Sequence, residues 1–423
     1  MSYLKMFSHD GLLTVLSHWM TSVGAPSQEP DLRITPVQPG FSGGRVYRVD
    51  ATREEETTSW ALKGWPSSTP RERMAKISQR IVAASQHCDL LAPPLPGIKS
   101  SRTSIEAFGH HWELARWITG IPLPADALDD EIARGGEAIG RVHLALNTDA
   151  NREHQRKLIE SPSMQEAPLV STLISPNVAN ASSSRLPRCL TDRLNRLHQL
   201  TAAVASLAGY DHSVDILATR LATQLTDETL GDPTSDFHCR QLAESLVEAS
   251  IWLRRYWNVI TPGLLERLQR HANDAQPMFA ERRLTTWVLR DVHREHILFE
   301  PPKRDRPRSV QGVFDYDAVD VDSPAADVAR WAGDFSSTVN SALGLSVHQN
   351  RVPLEATVAG YRDVCSFSKW EFDVAKTLIE VNSIGSLGNW TTWLIAENRH
   401  FPVSASRIRS RIIHLIASVC RIC

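Results

Sequence analysis

Residues 284–317 constrain the fold of this chain more than any other stretch. They contain three short apolar runs separated by polar residues, at 284–289, 297–299 and 310–314. Short apolar runs bounded by polar turns are typical of β-strands. Asp291 closely follows the first run, and Asp315 directly follows the third. The pattern therefore predicts a small β insert whose loops present two carboxylates.

A second group of strand-like runs lies near the N-terminus, after a leading amphipathic helix. Glycine-rich and polar turns separate runs at 32–37, 45–49 and 59–63, and two further runs, at 103–108 and 111–117, meet at Gly109. Short strands joined by such turns favour an antiparallel meander. We therefore expect a β-rich N-terminal lobe over residues 1–117.

The remaining residues, 118–423, have a mostly helical pattern. Apolar residues recur at helical spacing over 131–146, 190–225 and 239–273, and again from 325 onward. Residues 147–187 are rich in Ser, Asn and Pro and predict a loop-rich insertion. The sequence thus predicts an α+β protein with two lobes, in which the larger helical lobe contains the β insert.

Composition excludes several classes of protein. The net charge of −2 argues against a basic nucleic-acid-binding surface. No window approaches the roughly 18 apolar residues that a membrane span requires. The six cysteines have no repeated spacing, which indicates reduced thiols rather than a disulfide framework. We expect a soluble cytoplasmic protein that binds neither nucleic acid nor membrane.

The carboxylates of the β insert suit phosphoryl transfer. That reaction requires a carboxylate that orients the attacking hydroxyl and accepts its proton. It also requires ligands that hold a metal ion against the phosphates. Asp291 fits the first role, and Asp315 with His296 fits the second. The alternative is a polar β-hairpin whose carboxylates only cap turns.

A glycine-rich loop and a lysine would complete a nucleotide site. Ser42, Gly43 and Gly44 lie between the first two predicted strands, where glycines let backbone N–H groups approach phosphate oxygens. Lys63 ends the third strand, from which a lysine can reach the α- and β-phosphates. Each feature also has a plainer interpretation, since glycine hairpin loops are common and a strand-end lysine can extend into solvent.

Together these motifs resemble the aminoglycoside phosphotransferase and choline kinase-like family, relatives of protein kinases that phosphorylate hydroxyls of small molecules. The family pattern is His-Gly-Asp-x-His-x-x-Asn with three hydrophobic residues, followed by a hydrophobic-Asp-hydrophobic-Asp strand. The resemblance covers roughly residues 30–146 and 240–335. It implies a bilobal protein-kinase-like fold, ATP as phosphoryl donor, and Mg²⁺ or Mn²⁺ as the metal.

The resemblance also implies roles for individual residues. The motif positions are Asp291 as catalytic base, His293 as the second histidine, Asp315 as the metal-binding aspartate, Asp317 as the second acid of its strand, and Asp327 as an acid that braces the catalytic loop. By the same resemblance, Ala115 to Trp117 should form the hinge that meets adenine through its backbone.

Two positions depart from the family pattern. Leu289 and Arg290 stand where the family has His-Gly, so Arg290-Asp291 look closer to the Arg-Asp of protein kinases. His296 occupies the position of the metal-binding asparagine. Imidazole is a softer ligand than an amide oxygen and suits Mn²⁺, Zn²⁺ or Ni²⁺ better than Mg²⁺. The sequence therefore predicts a catalyst that prefers Mn²⁺.

The partner of Lys63 is an open question at this stage. Kinases pair this lysine with a glutamate on the following helix. Glu72 is the only acid in that predicted helix, but Thr69 as N-cap, Pro70 and Glu72 also fit a capping box. We favour the capping role for Glu72. Gln79, on the same helix face, is the other candidate partner.

The leading hypothesis is an enzyme that transfers the γ-phosphoryl group of ATP to a hydroxyl of a small molecule. The rival is a nucleotide-binding pseudokinase with a regulatory or scaffolding role, which Arg290 and His296 favour. The retained residues Lys63, Asp291 and Asp315 oppose it.

The acceptor and the oligomeric state are not specified by the sequence. An acidic pocket would favour a cationic acceptor such as an aminoglycoside or choline. Asp126, Asp129, Asp130 and Glu131 are candidates for such a pocket. Acids at the start of a helix are explained equally well by the helix dipole.

Overall fold

The structure is a computed structural model that describes residues 9–20, 31–37, 44–53, 55–97, 102–148, 186–210, 213–225, 234–279, 285–303, 306–335, 353–401 and 403–420. Ser42, Gly43 and nearly all of the predicted insertion at 147–187 lie outside these ranges.

A five-stranded antiparallel sheet forms the N-terminal part of the described chain. Its strands are β1 (Asp31–Pro36), β2 (Arg45–Arg53), β3 (Glu56–Gly64), β4 (Ser104–Ala107) and β5 (His110–Arg116), in the order β1-β2-β3-β5-β4. The predicted meander is confirmed, with β2 and β3 longer than expected. Phe108 and Gly109 both have positive φ, as a two-residue hairpin loop of type I′ requires. In the β3–β5 pairing, Lys63 lies opposite Glu113.

Helices make up most of the rest. They are α1 (His9–Met20), α2 (Arg71–Ser85), α3 (Asp129–Leu146), α4 (Arg188–Ser206), α5 (Val214–Gln224), α6 (Thr234–Phe279), α7 (Ala325–Gly333), α8 (Pro353–Arg362), α9 (Lys369–Ile395) and α10 (Ala405–Val419). The single helical stretch predicted at 190–225 is two helices, because a 3₁₀ turn at Leu207–Gly209 ends the first.

Five short strands interrupt the helices. They are β6 (Ile121–Pro122), β7 (Thr286–Val288), β8 (Ile297–Phe299), β9 (Val310–Val313) and β10 (Asp320–Asp322). β8 pairs with β6 and β9, and β7 pairs with β10, all antiparallel. The predicted β insert is confirmed. The return strand β10 was not expected, because its residues Asp320-Val321-Asp322 have little apolar signal.

Two hydrophobic clusters lie beneath these elements. The smaller packs α1 against the sheet around Trp19, Leu62 and Trp112. The larger joins α2 to the helices and short strands of the C-terminal part. Close packing of α3 on α8 depends on Gly136 and Gly360, because an added Cβ at either would collide with backbone of the other helix. No described helix has the length and apolarity to cross a membrane.

Candidate active site

Pairing of β8 with β9 brings two polar loops to one edge of the small sheet. Ile297 lies opposite Val313, so the loop before β8 and the loop after β9 leave the sheet at the same end. The Phe314 N–H donates to the His296 carbonyl at 3.0 Å and ties the loops together. Side chains that are about twenty residues apart in sequence therefore face one another.

Lys63 extends from the end of β3 to this edge. Its ammonium nitrogen lies 3.2 Å from Asp315 Oδ1 and also donates to Asp317 Oδ1. Burial alone would lower the pKa of Lys63, but the two carboxylates outweigh burial and raise it. The lysine is therefore positively charged. It is held in the position where phosphate oxygens would take over one of its carboxylate contacts.

Asp315 and Asp317 differ in their environments although both contact Lys63. Burial would raise the pKa of each. At Asp315, the positive charge of Lys63 outweighs burial, so the pKa lies below its ordinary value. Burial prevails at Asp317 and raises its pKa. Asp315 is thus the more firmly ionised of the pair, as a metal ligand should be.

His296 presents one ring nitrogen towards Asp315. Its Nδ1 lies 2.7 Å from the Asp291 carbonyl oxygen. Because a carbonyl only accepts, Nδ1 carries the proton and Nε2 has a free lone pair. Burial and the charge of His293 lower the pKa of His296, which favours this neutral form. Nε2 and Asp315 Oδ2 are 3.6 Å apart.

These two atoms fit a bound cation. Two lone pairs that face each other without a proton between them repel, and a metal ion would relieve this. No group of three His, Cys, Asp or Glu side chains within the described ranges is arranged to hold a metal. His296 and Asp315 would therefore need oxygens of a phosphate ligand and water to complete a coordination shell, as is usual at nucleotide sites.

Asp291 lies beside this pair with two cationic partners. Arg330 Nη1 and His293 Nε2 are each 3.0 Å from Asp291 Oδ1. Burial would raise the pKa of Asp291, but His293 and Arg330 hold it well below its ordinary value. Even so, 42% of the side chain is exposed. Asp291 is therefore an ionised acceptor that substrate can reach, better suited to orienting a hydroxyl than to removing a proton by strong basicity.

His293 and Asp334 fix the shape of the catalytic loop. Burial would lower the pKa of His293, but Asp291 and Asp334 outweigh it and raise the pKa. Asp334 Oδ2 lies 3.5 Å from His293 Nδ1 and accepts from the Arg294 N–H at 2.8 Å. Its other oxygen accepts from Arg411 on α10 at 3.1 Å. Helix α10 therefore supports the loop that carries Asp291.

Asp327 on α7 braces the strand before the loop. Its side chain is fully buried, and Oδ2 accepts from the Leu289 N–H at 2.7 Å and from His143 at 2.9 Å. The other nitrogen of His143 is 3.0 Å from the Tyr361 hydroxyl. This geometry is what the bracing role requires, and it uses His143 inside the core.

A family comparison decides which class of protein carries this site. The model of the phosphotransferase enzyme family matches residues 33–356, well over half of the chain. The chain belongs to this family. The family and the bilobal α+β, protein-kinase-like fold predicted from the sequence are thereby confirmed, and no described helix or strand conflicts with them. A search of curated proteins found no match.

Solved structures resemble this phosphotransferase over nearly their full length. Spectinomycin phosphotransferase, in complex with ADP and spectinomycin, has a TM-score of 0.54 at 10% identity, covering 98% of this chain and 97% of that one. An aminoglycoside phosphotransferase from Alicyclobacillus acidocaldarius has a TM-score of 0.49 at 12% identity, covering 97% and 92%. Plasmodium vivax ethanolamine kinase has 0.47 at 9%, covering 97% and 86%. At 10% identity, the likeness to spectinomycin phosphotransferase shows the fold alone.

The capping role predicted for Glu72 is wrong. Helix α2 begins at Arg71 with Pro70 as N-cap, and no side chain caps it. Pro70 is extended, with ψ at 136°, which moves Thr69 one residue too far from the helix. Glu72 and Gln79 are both exposed, and Lys63 instead pairs with the two aspartates after β9.

A glutamate that the sequence did not single out lies next to Lys63. Glu113 on β5 is only 8% exposed and accepts from the Trp65 indole at 2.8 Å and from the Ser78 hydroxyl. Burial raises its pKa, although Ser78, Trp65 and the charge of Lys63 oppose this. Because about fifty residues separate Glu113 from Lys63 in the sequence, only the β3–β5 register reveals that the two are neighbours.

Arg330 was also missed, although a signal for it existed. It lies three residues after Asp327 on α7, and residues at that spacing share a helix face. An arginine on the face that braces the catalytic loop was therefore a reasonable candidate for contact with Asp291.

The structure describes only some of the predicted nucleotide-binding residues. Gly44 lies buried at the start of β2, beside a hydrogen bond of 2.9 Å from the Val37 N–H to the Val46 carbonyl. Ala115 pairs with Ala61 inside the sheet. The Trp117 N–H donates to the Ser59 backbone carbonyl at 3.1 Å. A hinge contact with adenine would therefore use a group other than that amide.

Proposed function

We propose that this phosphotransferase moves the γ-phosphoryl group of ATP to a hydroxyl of a small molecule. The observation that carries the proposal is the convergence of Lys63, Asp291, Asp315 and His296 at one edge of the small sheet. Each lies within 3.6 Å of another member or of its backbone. Membership of the phosphotransferase family supports the reaction class.

On the donor side, Lys63 would neutralise phosphate charge, and Asp315 and His296 would hold the metal. A divalent cation bound there would stabilise negative charge on the β- and γ-phosphates. Asp317 keeps a second contact with the Lys63 ammonium. It holds the lysine in place when phosphate oxygens replace Asp315 as its partner.

On the acceptor side, Asp291 orients the hydroxyl. Both cationic partners contact Oδ1, which leaves Oδ2 to accept the hydroxyl proton. The hydroxyl oxygen forms a bond to the γ-phosphorus while the bond from that phosphorus to the β-bridging oxygen breaks. ADP leaves, and the proton resides on Asp291. Catalysis in such a site comes from positioning and charge stabilisation.

The pseudokinase alternative requires only nucleotide binding. A protein of that kind has no use for an exposed, ionised aspartate held by two cations. The support given to Asp291 by His293 and Arg330 therefore favours the enzyme. The cytoplasmic location inferred from the cysteines stays a prediction.

Two measurements distinguish the enzyme from the pseudokinase. The first is a thermal shift with ATP and either Mg²⁺ or Mn²⁺, since a ligand of the folded state raises the melting temperature. The second is ATP consumption against a panel of sugars, amino alcohols, hydroxy acids and aminoglycosides, with the phosphorylated product identified. We expect both to be positive. A thermal shift with no product from any acceptor class would support the pseudokinase instead.

A further inference from the structure

Three arginines on helices α4 and α7, here called the arginine cluster, lie near the proposed catalytic base. Arg193 and Arg196 are one turn apart on α4 and therefore share a helix face. Arg330 on α7 contacts Asp291 at 3.0 Å. Helix α4 also reaches the catalytic loop directly, because Asp192 binds Arg290 at 2.7 Å. Helix α4 therefore lies beside the loop that carries Asp291, and Arg193 and Arg196 are close enough to Arg330 for their charges to interact.

The cluster lacks matching negative charge. Arg193 Nε donates to the amide oxygen of Asn382 at 2.5 Å, and Arg196 lies against the side-chain amide of Asn389. Within the described ranges, neither Arg193 nor Arg196 forms an ion pair with a carboxylate. Neutral amides fix the two guanidinium groups without cancelling their charge.

Like charges in this cluster raise the energy of the ligand-free protein. Burial first, and then the neighbouring guanidinium groups, lower the pKa of Arg193 and of Arg196 to about 10. Both remain charged at neutral pH. The neighbouring carboxylate of Asp192 is already bound to Arg290, and Asp291 serves the acceptor hydroxyl in the proposed reaction. An arrangement of charge that the protein does not neutralise is characteristic of a ligand site.

One of the acids proposed for a cationic acceptor is occupied elsewhere. Glu131 forms an ion pair with Arg308 at 2.6 Å and accepts from the Leu128 N–H at 3.2 Å. Its burial beside those partners makes it part of the start of α3. Glu131 is therefore not available to bind a cationic acceptor.

We propose that the acceptor is an anion, a hydroxy compound with a carboxylate or phosphate group that the arginine cluster binds while Asp291 orients its hydroxyl. Guanidinium groups suit both anions because their N–H groups match paired oxygens. The inference rests on the proposed phosphotransfer and specifies its substrate class. It is opposite in charge to the cationic acceptors considered at the start.

A binding test uses matched three-carbon probes. With the protein saturated by a non-hydrolysable ATP analogue and Mn²⁺, the melting temperature is measured at constant ionic strength with glycerate, glycerol 3-phosphate, glycerol and 3-aminopropane-1,2-diol. We expect a rise with at least one anion and none with the neutral or cationic probe. The two anions distinguish a carboxylate site from a phosphate site. A rise with the aminodiol alone, or with no anion, would overturn the proposal.

Variants separate ligand binding from a structural role. Arg193→Gln and Arg196→Gln should each weaken anion binding about ten-fold and raise the melting temperature of the ligand-free protein, because repulsion falls. Purely structural arginines would lower that temperature when replaced. Arg270→Gln is the control, since Arg270 is 64% exposed on α6 and pairs with Glu266 one turn earlier on the same helix. Unchanged anion binding in both cluster variants would contradict the proposal.

The acceptor panel then separates this inference from the proposed function. If a cationic or neutral compound is phosphorylated efficiently and no anion is, the substrate class is wrong while phosphotransfer stands. If nothing of any charge is phosphorylated, phosphotransfer itself fails, and the inference fails with it.

Discussion

At the scale of single residues, two residues of the proposed active site have strained backbone conformations. Arg290 and Asp315 both have φ of 65°, a left-handed conformation that costs a non-glycine residue about 1–2 kcal/mol. In the family pattern, glycine stands at the Arg290 position. Here Arg290 gains ion pairs with Asp192 at 2.7 Å and with Asp322 at 3.1 Å. Arginine at this position therefore lacks the backbone freedom of glycine but gains an ion pair that connects the loop to α4.

Some site residues can be predicted from sequence and others cannot, for a physical reason. Asp291 and Asp315 follow apolar strands, and side chains at strand ends are natural components of a site. Lys63 ends a strand in the same way. Glu113 and Arg193 meet the site only through pairing or packing of elements far apart in the chain, and a single sequence does not reveal those contacts.

The metal preference is the prediction that belongs to His296. Replacing it with asparagine restores a hard amide oxygen at the position of the second metal ligand. We expect His296→Asn to lower the ratio of Mn²⁺-supported to Mg²⁺-supported activity, because imidazole favours the softer ion. The measurement is turnover with each metal at saturating ATP. An unchanged ratio would show that His296 is not a ligand.

At the scale of elements, three helices hold the catalytic loop. Asp327 on α7 accepts from the Leu289 N–H, Asp192 on α4 binds Arg290, and Arg411 on α10 binds Asp334. The position of Asp291 therefore depends on helices at both ends of the C-terminal part. The sequence predicted helices from residue 325 onward, but it did not predict the contact of α7 and α10 with the loop.

Replacing Arg411 tests this support. Burial would raise the pKa of Asp334, but Arg411 and His293 hold it well below its ordinary value. Arg411→Gln should destabilise the protein by roughly 2 kcal/mol, less than for a fully buried pair, because Arg411 is 31% exposed. Turnover should fall while ATP affinity is retained. Lys369→Gln, at an exposed pair on α9, is the matched control.

The stability lost in Arg411→Gln should depend on pH in a direction set by the lowered pKa of Asp334. A carboxyl with a depressed pKa contributes stability above its unfolded pKa of about 3.9, and that stability disappears as pH falls through the folded pKa. The difference in melting temperature between wild type and Arg411→Gln should therefore be full at pH 7 and shrink below about pH 4. A difference that is constant over this range would exclude Asp334 as the partner that matters.

At the scale of the whole molecule, the sequence predicted the architecture better than the connections. The meander around Lys63 and the β insert around Asp315 could be inferred, because turns and apolar runs are local signals. Lys63, at the end of β3, contacts Asp315 and Asp317 of the β insert. This contact joins the two lobes. The sequence motifs assigned Lys63 and Asp315 to one nucleotide site but did not predict that they touch, since no local pattern encodes a contact over about 250 residues.

The most direct test of phosphotransfer compares Asp291→Asn with wild type in turnover and in ATP dissociation constant. Asparagine keeps the shape of the side chain but cannot accept the hydroxyl proton. We predict a fall in turnover of about 10²–10⁴-fold with an ATP dissociation constant within about three-fold of wild type, because Lys63, Asp315 and His296 are unchanged. Normal turnover in the Asp291→Asn protein would contradict the account.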